Sequence, residues 1–251
     1  MANTKFDFAD NAVLVTGGTR GIGRAISEAF LAAGARVIST YVSNDAAAES
    51  FKQGNAAHEG RLDLRKCDVA SYEQVEALFK ALTQAYPDGL QILVNNSGIR
   101  RDSVLGMMKP QDWQDVIGTN LSGTFNMSKF AVQWMMQKRY GRIINITSPC
   151  SHFGFAGQAN YAASKAGQIG LTRSLSKEVA TRGITVNCVS PGFVGTELLK
   201  DLPEKQRQAY VDQVPMRRFG NPEEIAACVL FLASKEAAYV TGTVLEVTGG
   251  L

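Results

Sequence analysis

Short apolar runs rich in β-branched residues recur along this chain, with longer segments of helical spacing between them, and that alternation restricts the available folds more than any other feature. The runs are AVLVT (12–16), RVISTY (36–41), LRKCDV (64–69), LQILVNN (90–96), GRIINITS (141–148), ITVNCVS (184–190) and TVLEVTG (243–249). Between them stand RAISEAFLAAG, SYEQVEALFKALTQAY, the span from Gln111 to Tyr140, NYAASKAGQIGLTRSLSKEVATR and PEEIAACVLFLAS, each with apolar residues near helical spacing. Such alternation predicts an α/β fold, a parallel sheet of seven strands with helices on both faces. Right-handed crossovers make it doubly wound. A chain of 251 residues with no repeat and no low-complexity linker is expected to form one domain over 1–251.

The rhythm breaks once, at PGFVGTELLKDLPEKQRQAYVDQVPMRRFGN (191–221), which is too long for an ordinary connection. A lid over a site, about 193–220, is expected there. A net charge of +3 with 20% charged residues gives no global basic field for nucleic acid, so a charged partner must meet a local patch. Cys67, Cys150, Cys188 and Cys228 form no CxxC pair and suit reduced thiols. Only His58 and His152 are present, and no spacing suggests a metal site. The opening MANTKFDFADN lacks a signal-like apolar core and no run of about 18 apolar residues occurs, so a soluble cytoplasmic protein is expected.

In VLVTGGTRGIGRAISEAF, the glycines at 17, 21 and 23 lie between the first strand and the first helix. Backbone there can approach a pyrophosphate closely, and the helix N-terminus offers free N–H groups to the anion. Gly17, Thr19, Arg20, Gly21, Ile22 and Gly23 are the candidate contacts. An acidic residue about 20 positions further on ordinarily holds a free ribose 2′-hydroxyl. Ser39, Thr40 and Tyr41 stand there instead, and Arg20 can balance a 2′-phosphate, so NADP(H) is expected. Asp68 and Val69 are candidates for the adenine side, although Asp68 also reads as a cap before Ser71.

Residues 148–165, SPCSHFGFAGQANYAASK, crowd Ser148, Cys150, Ser151, His152, Tyr161 and Lys165 together. A Cys-His pair would point to a covalent nucleophile, and a Ser with Tyr-x3-Lys to proton transfer at an alcohol or carbonyl. Ser148 ends a strand, and open α/β sheets bind ligands beyond such ends. Tyr161 and Lys165, four apart, share one helix face. Free Tyr titrates near 10, but an ammonium about 4 Å away at an effective dielectric near 20 is worth about 4 kcal/mol, or roughly three pK units. Tyr161 is therefore expected near neutrality, as a general acid, while Ser148 polarises the same oxygen. The Cys150-His152 alternative lacks an orienting third group and an oxyanion hole in the sequence. Pro149 to Phe155 are then expected to wall the substrate pocket.

Together TGGTRGIG, NNSG (95–98), Asn120 in GTNLSGTF, Ser148, YAASK and SPGFVGTE resemble the short-chain dehydrogenase/reductase family in order and spacing, from end to end. The resemblance implies a Rossmann-like fold, hydride transfer, and a catalytic set of Asn120, Ser148, Tyr161 and Lys165, with Asn120 holding a water that resupplies the proton. It also implies cofactor contacts from Asn95, Gly98 and Ile99, from Tyr161 and Lys165, and from Gly192, Val194 and Thr196. Ser97 departs from the family's usual small apolar residue.

Within the family, GQANYAASKAGQIG, KEVATRGITVN, VSPGFVGTE and FLASKEAAYVTG resemble the bacterial branch that reduces 3-oxoacyl thioesters on acyl carrier protein. That likeness implies docking of the carrier through Arg139 and Arg182, in a patch with Lys138 and Arg142. The stretch Phe125 to Met136 is apolar on more than one face, which suits a homotetramer. The alternatives are a reductase of another carbonyl, such as acetoacetyl-CoA, a sugar or a steroid, and a non-catalytic NADP-binding regulator.

Overall fold

The computed structural model describes residues 6–196 and 203–251. Seven strands lie in one parallel sheet: β1 (Ala12–Val15), β2 (Arg36–Tyr41), β3 (Leu62–Lys66), β4 (Ile92–Asn95), β5 (Gly141–Ile146), β6 (Ile184–Pro191) and β7 (Val244–Val247). Their order is β3-β2-β1-β4-β5-β6-β7, so the direction of winding reverses between β1 and β4. The doubly wound expectation holds, and the reversal opens a crevice at the carboxyl ends of those two strands.

Apolar runs are continuous because both faces are covered. Val13 and Val15 face one layer with Ile26, Phe30, Val229 and Leu232. Ala12 and Leu14 face the other, with Leu78, Leu82, Met127 and Met135. The first layer is α1 (Gly21–Ala32) and, near the end of the chain, Pro222–Ala233. The second is built on Tyr72–Ala85, Gly123–Lys138 and Ala159–Val179.

Local structure departs from the sequence expectation in four places. The third strand starts at Leu62 and stops at Lys66 because Val37–Tyr41 set its register, Val37 against Leu62 and Tyr41 against Lys66. Helix α2 (Asp45–Gly54) was not foreseen; it buries only Ala48 and Phe51, too thin an apolar stripe to register as periodicity, and is started by Asn44, whose Oδ1 accepts from Ala47 N at 2.9 Å. After α3 (Tyr72–Ala85), the span expected as one long helix is divided: α4 (Pro110–Ile117), one π turn (Gly118–Ser122), then α5 (Gly123–Lys138). Finally, the pocket wall contains a short turn of helix, α6 (Cys150–Phe153), ahead of α7 (Ala159–Val179).

Of the expected lid, residues 197–202 lie outside the described residues. What is described is α8 (Glu204–Gln213), with no buried residue, followed by α9 (Pro222–Ala233). The ends of the excursion are tied together by the Val194–Gly220 bridge, Gly195 N donating to Gly220 O at 2.8 Å and Gly220 N to Phe193 O at 2.9 Å. Among the described residues no helix is long and apolar enough to cross a membrane.

Candidate active site

The glycine turn sits in the β1–β4 crevice. Gly17 (φ 61°) and Gly21 (φ 52°) occupy the left-handed region. A Cβ on Gly23 would strike the Gly17 carbonyl, and one on Gly18 would come within 2.7 Å of the Ser39 hydroxyl. Asn96 locks the turn: Nδ2 donates to Thr16 O at 2.9 Å and to Gly17 O at 3.2 Å, while Thr16 Oγ1 accepts from Asn96 N and Ser97 N, both at 2.9 Å. Arg20 is the exposed N-cap of α1 and caps nothing with its side chain. The N–H groups of the first turn of a 12-residue helix are thus left for an anion. At the carboxyl end of β2, Thr40 Oγ1 is buried with no hydrogen-bond partner. A backbone cradle, a free helix N-terminus and an orphaned hydroxyl fit a dinucleotide.

The remaining expected contacts divide. A Cβ on Gly98 would lie 3.4 Å from Asn120 Oδ1 and 3.6 Å from Lys165 Nζ, so this glycine floors the centre of the site. Thr196 stands beside Gly21, and Gly192 packs on Thr248, where a Cβ would come within 2.8 Å of the backbone. Val69 is buried against Gly123, and Asp68 Oδ1 accepts from Ala70 N at 2.9 Å, the turn-capping role that competed with adenine contact. At Asn95, Nδ2 donates to Ser128 Oγ at 3.1 Å and Asn145 Oδ1 at 2.8 Å, while Oδ1 is buried with no partner among the described residues.

Ser148 follows the carboxyl end of β5, and its Oγ accepts from Cys150 N at 3.3 Å. Tyr161 and Lys165 come from the first two turns of α7, with Lys165 Nζ 5.6 Å from the Tyr161 ring centre. Asn160, buried ahead of them, fixes the start of this helix: its Oδ1 accepts from Tyr161 N at 2.7 Å and its Nδ2 donates to Arg101 O at 2.9 Å. The π turn brings Asn120 to the centre. Its Oδ1 accepts from Ile99 N at 2.8 Å, and its Nδ2 donates to Ile99 O at 3.1 Å and Ser164 Oγ at 3.0 Å. One extra residue per turn is what aims that carboxamide at the loop after β4.

The electrostatics differ from the expectation for Tyr161. Burial pushes its phenol above the ordinary value, against the opposing pull of the Ser148 hydroxyl and the Arg100 guanidinium. Lys165 does not offset that burial, and burial pushes its own ammonium down to about 8. Its Nζ is also drawn away, donating to Ile146 O at 2.7 Å and Gln168 Oε1 at 3.2 Å. Arg100 lies on the other side, 5.9 Å from the phenol ring centre and paired with Asp102. So the phenol is a protonated acid at neutral pH.

Cys150 and His152 do not form a pair. The thiol donates to Gln158 Oε1 at 3.5 Å and burial raises its pKa, whereas His152 Nε2 reaches Glu246 at 3.8 Å. The wall they belong to continues through Phe155, 6.3 Å between ring centres from Phe193, which lies 4.7 Å from Tyr210 of α8. Asn96, Asn160, Gln168 and Arg100 are not singled out by the sequence; the buried face of α7 is mostly polar, with Asn160, Ser164, Lys165, Gln168, Thr172 and Ser176, so no apolar stripe sets Gln168 apart.

At the amino ends of β5 and β6, Arg139 takes a left-handed conformation (φ 53°) and its Nη2 donates to Thr181 O at 3.1 Å, which sets it beside Arg182. Arg142 does not belong to that surface. It is only 4% exposed, with Nη1 donating to Gly141 O and Gly183 O.

Fold and turn define an α/β oxidoreductase that takes a nicotinamide cofactor. Residues 17–251 match the family described as enoyl-(acyl carrier protein) reductase. Over 238 residues, 95% of this chain and 96% of the relative, the sequence is 49% identical to the 3-oxoacyl-(acyl-carrier-protein) reductase FabG of Vibrio cholerae. Identity to the enzyme of that name from Escherichia coli is 47% over 245 residues, 98% of each chain. The acetoacetyl-CoA reductase of Rhizobium meliloti is 44% identical over 239 residues, 94% of this chain and 96% of its own. The chain belongs to the short-chain dehydrogenase/reductase family.

Proposed function

We propose that this protein reduces a 3-oxoacyl thioester on acyl carrier protein to the 3-hydroxyacyl thioester, with NADPH, in the cytoplasm and as a tetramer. The observation that supports the reading is the Tyr161 phenol in hydrogen-bond reach of Ser148, beyond the carboxyl end of β5, with Lys165 Nζ 5.6 Å from the phenol ring centre. Two hydroxyls converging there suit a carbonyl oxygen. The choice of a 3-oxo group over an alkene is supported by the 47–49% identity to 3-oxoacyl-(acyl-carrier-protein) reductases.

Bound NADPH would supply a hydride for the carbonyl carbon. Gly17, Thr19, Gly21, Ile22 and Gly23 would hold its pyrophosphate, with Arg20 and Thr40 on a 2′-phosphate. Ser148 donates a hydrogen bond to the substrate oxygen and polarises it. Tyr161 gives that oxygen its proton. Lys165, as an ammonium, stabilises the phenolate left behind and returns a proton to it. Asn120 fixes the loop that carries Gly98. The exposed apolar side chains at the mouth, Val104, Leu105, Met107, Phe153 and Met216, suit an acyl chain and its arm.

Tetramer formation is supported by half-exposed Phe125 and Met136 on α5 and by β7 at the sheet edge, whose Val244, Leu245 and Val247 are only half-buried. Arg139 and Arg182 stand at the end of β5 opposite Ser148, about 20 Å away by the rise of an extended strand. A carrier docked on them would serve the site of a neighbouring copy. The alternative, a CoA-thioester reductase, is favoured by the 44% identity to an acetoacetyl-CoA reductase.

The test compares one 3-oxoacyl chain on carrier protein and on CoA. A higher kcat/KM on carrier protein is expected, and equal values or a CoA preference favour the alternative. Tyr161→Phe should lower kcat about 100-fold or more while NADPH still binds; a mutant with near wild-type turnover removes Tyr161 from the mechanism.

A further inference from the structure

Behind Lys165, one turn further along α7, Gln168 is fully buried, with 0% of its surface exposed. Burying a carboxamide is costly unless its polar atoms are satisfied. Its Nε2 donates to Asn120 O at 2.8 Å and to Thr124 Oγ1 at 2.6 Å, and its Oε1 accepts from Lys165 Nζ at 3.2 Å. The amide cannot be reversed. Thr124 Oγ1 spends its own proton on Asn120 O at 2.7 Å, so two acceptors face the Gln168 nitrogen and only the oxygen can face the ammonium.

We propose that Gln168 is a positioning residue that holds the Lys165 ammonium in place for proton transfer and joins it mechanically to the π turn carrying Asn120. An ammonium has three protons. Ile146 O and Gln168 Oε1 take two, leaving one for the side where Tyr161 and Gly98 stand. Without Gln168 Oε1, a buried amine keeps one acceptor and loses the group that both stabilises its charge and fixes its direction.

The titratable groups facing the amine are the Tyr161 phenol on its own helix and the Cys188 thiol of β6. From the loop after β4, the Arg100 guanidinium faces the far side of the phenol. Burial raises the Cys188 thiol to about 11, so it is neutral through the useful pH range. The basic limb of the pH profile then belongs to Lys165. This inference rests on the proposed role of Lys165 as the group that recharges Tyr161.

The experiment measures kcat/KM against pH for an N-acetylcysteamine thioester, together with NADPH affinity by fluorescence titration, in the wild type, Gln168→Met, Gln168→Glu and Lys165→Met. Gln168→Met keeps the length of the side chain and removes the acceptor. Its basic limb should move to lower pH by about one unit, the order expected for one hydrogen bond to a charged group. Gln168→Glu places a carboxylate against the ammonium and should move the limb to higher pH. NADPH affinity should change by less than about threefold in both, because the glycine turn is untouched. Opposite shifts in the two variants cannot come from loosened packing.

A limb fixed at the wild-type pH in either folded variant, or one that moves the same way in both, overturns the proposal. Where one variant does not fold, the direction of shift in the other decides. Lys165→Met separates the two claims. If it retains wild-type turnover and limb, the role of Lys165 fails and this inference with it; if it loses turnover while the Gln168 variants leave the limb in place, only the inference about Gln168 fails.

Discussion

Lys165 and Arg20 carry charge arguments that can be tested singly. Lys165 is held down to about 8 by burial, and Tyr161 is held above its ordinary value. Between pH 6 and 8 both carry their protons, so reduction should be fastest there. Above about 8 the ammonium discharges first, and kcat/KM should fall tenfold per unit with a single basic limb. Folding responds with the opposite sign. A lowered lysine pKa means the folded chain binds fewer protons than the unfolded one between about 8 and 10.5, so this residue's contribution to stability rises across that window while activity falls. A profile flat to pH 10 would show that the amine is not the titrating group. Arg20, exposed at the N-cap of α1, is the other. Arg20→Ala should weaken NADPH about ten- to a hundredfold, the size of a lost hydrogen bond to a charged group, and NADH by less than about twofold. Equal losses would make Arg20 a structural residue of the turn.

Elements differ in how plainly the sequence announces them. The inner strands were legible because strands buried on both faces read as continuous apolar runs, the part-buried edge strand β3 was placed two residues late, and the glycine turn was legible because only glycine tolerates its backbone. The division between α4 and α5 was not, since a π turn leaves the apolar spacing of its flanks intact and shows only as a buried Asn120. Nor was the state of Tyr161. Sequence gives the four-residue spacing to Lys165, but the burial and the competing acceptor Ile146 O come from other elements, and Gln168 Oε1, on the same helix, reaches the amine only through its tertiary anchoring. The excursion after β6 was legible as a break in rhythm, and its described helix α8 meets the pocket wall through Tyr210 on Phe193. Tyr210→Ala removes an aromatic pair worth about 0.5–1.5 kcal/mol, so KM for a long-chain substrate should rise about three- to tenfold with kcat retained. An unchanged KM would reduce α8 to a solvated excursion.

For the whole molecule, the decisive question is how a surface at one end of the sheet serves chemistry at the other. Arg139 and Arg182 adjoin each other through the Thr181 carbonyl at the amino ends of β5 and β6, whereas Ser148 and Tyr161 lie beyond the carboxyl ends. If a carrier protein binds there as proposed, its arm must either span the sheet or enter the site of another copy, so the proposed docking and the proposed assembly have to be tested together. Replacing both arginines by Glu should therefore raise KM for a carrier-linked substrate about tenfold, by reversing local charge against an acidic partner. KM for the N-acetylcysteamine thioester should stay nearly unchanged, since that substrate never touches the patch. The selective loss should be larger at low salt, where exposed charges steer encounter over longer distances. Sedimentation of the double variant must show the wild-type oligomer. A variant that dissociates and loses activity on both substrates shows that the arginines hold copies together. A variant of wild-type size that loses both substrates in parallel, or neither, leaves the patch as solvated helix ends and shifts the reading toward a CoA-linked substrate.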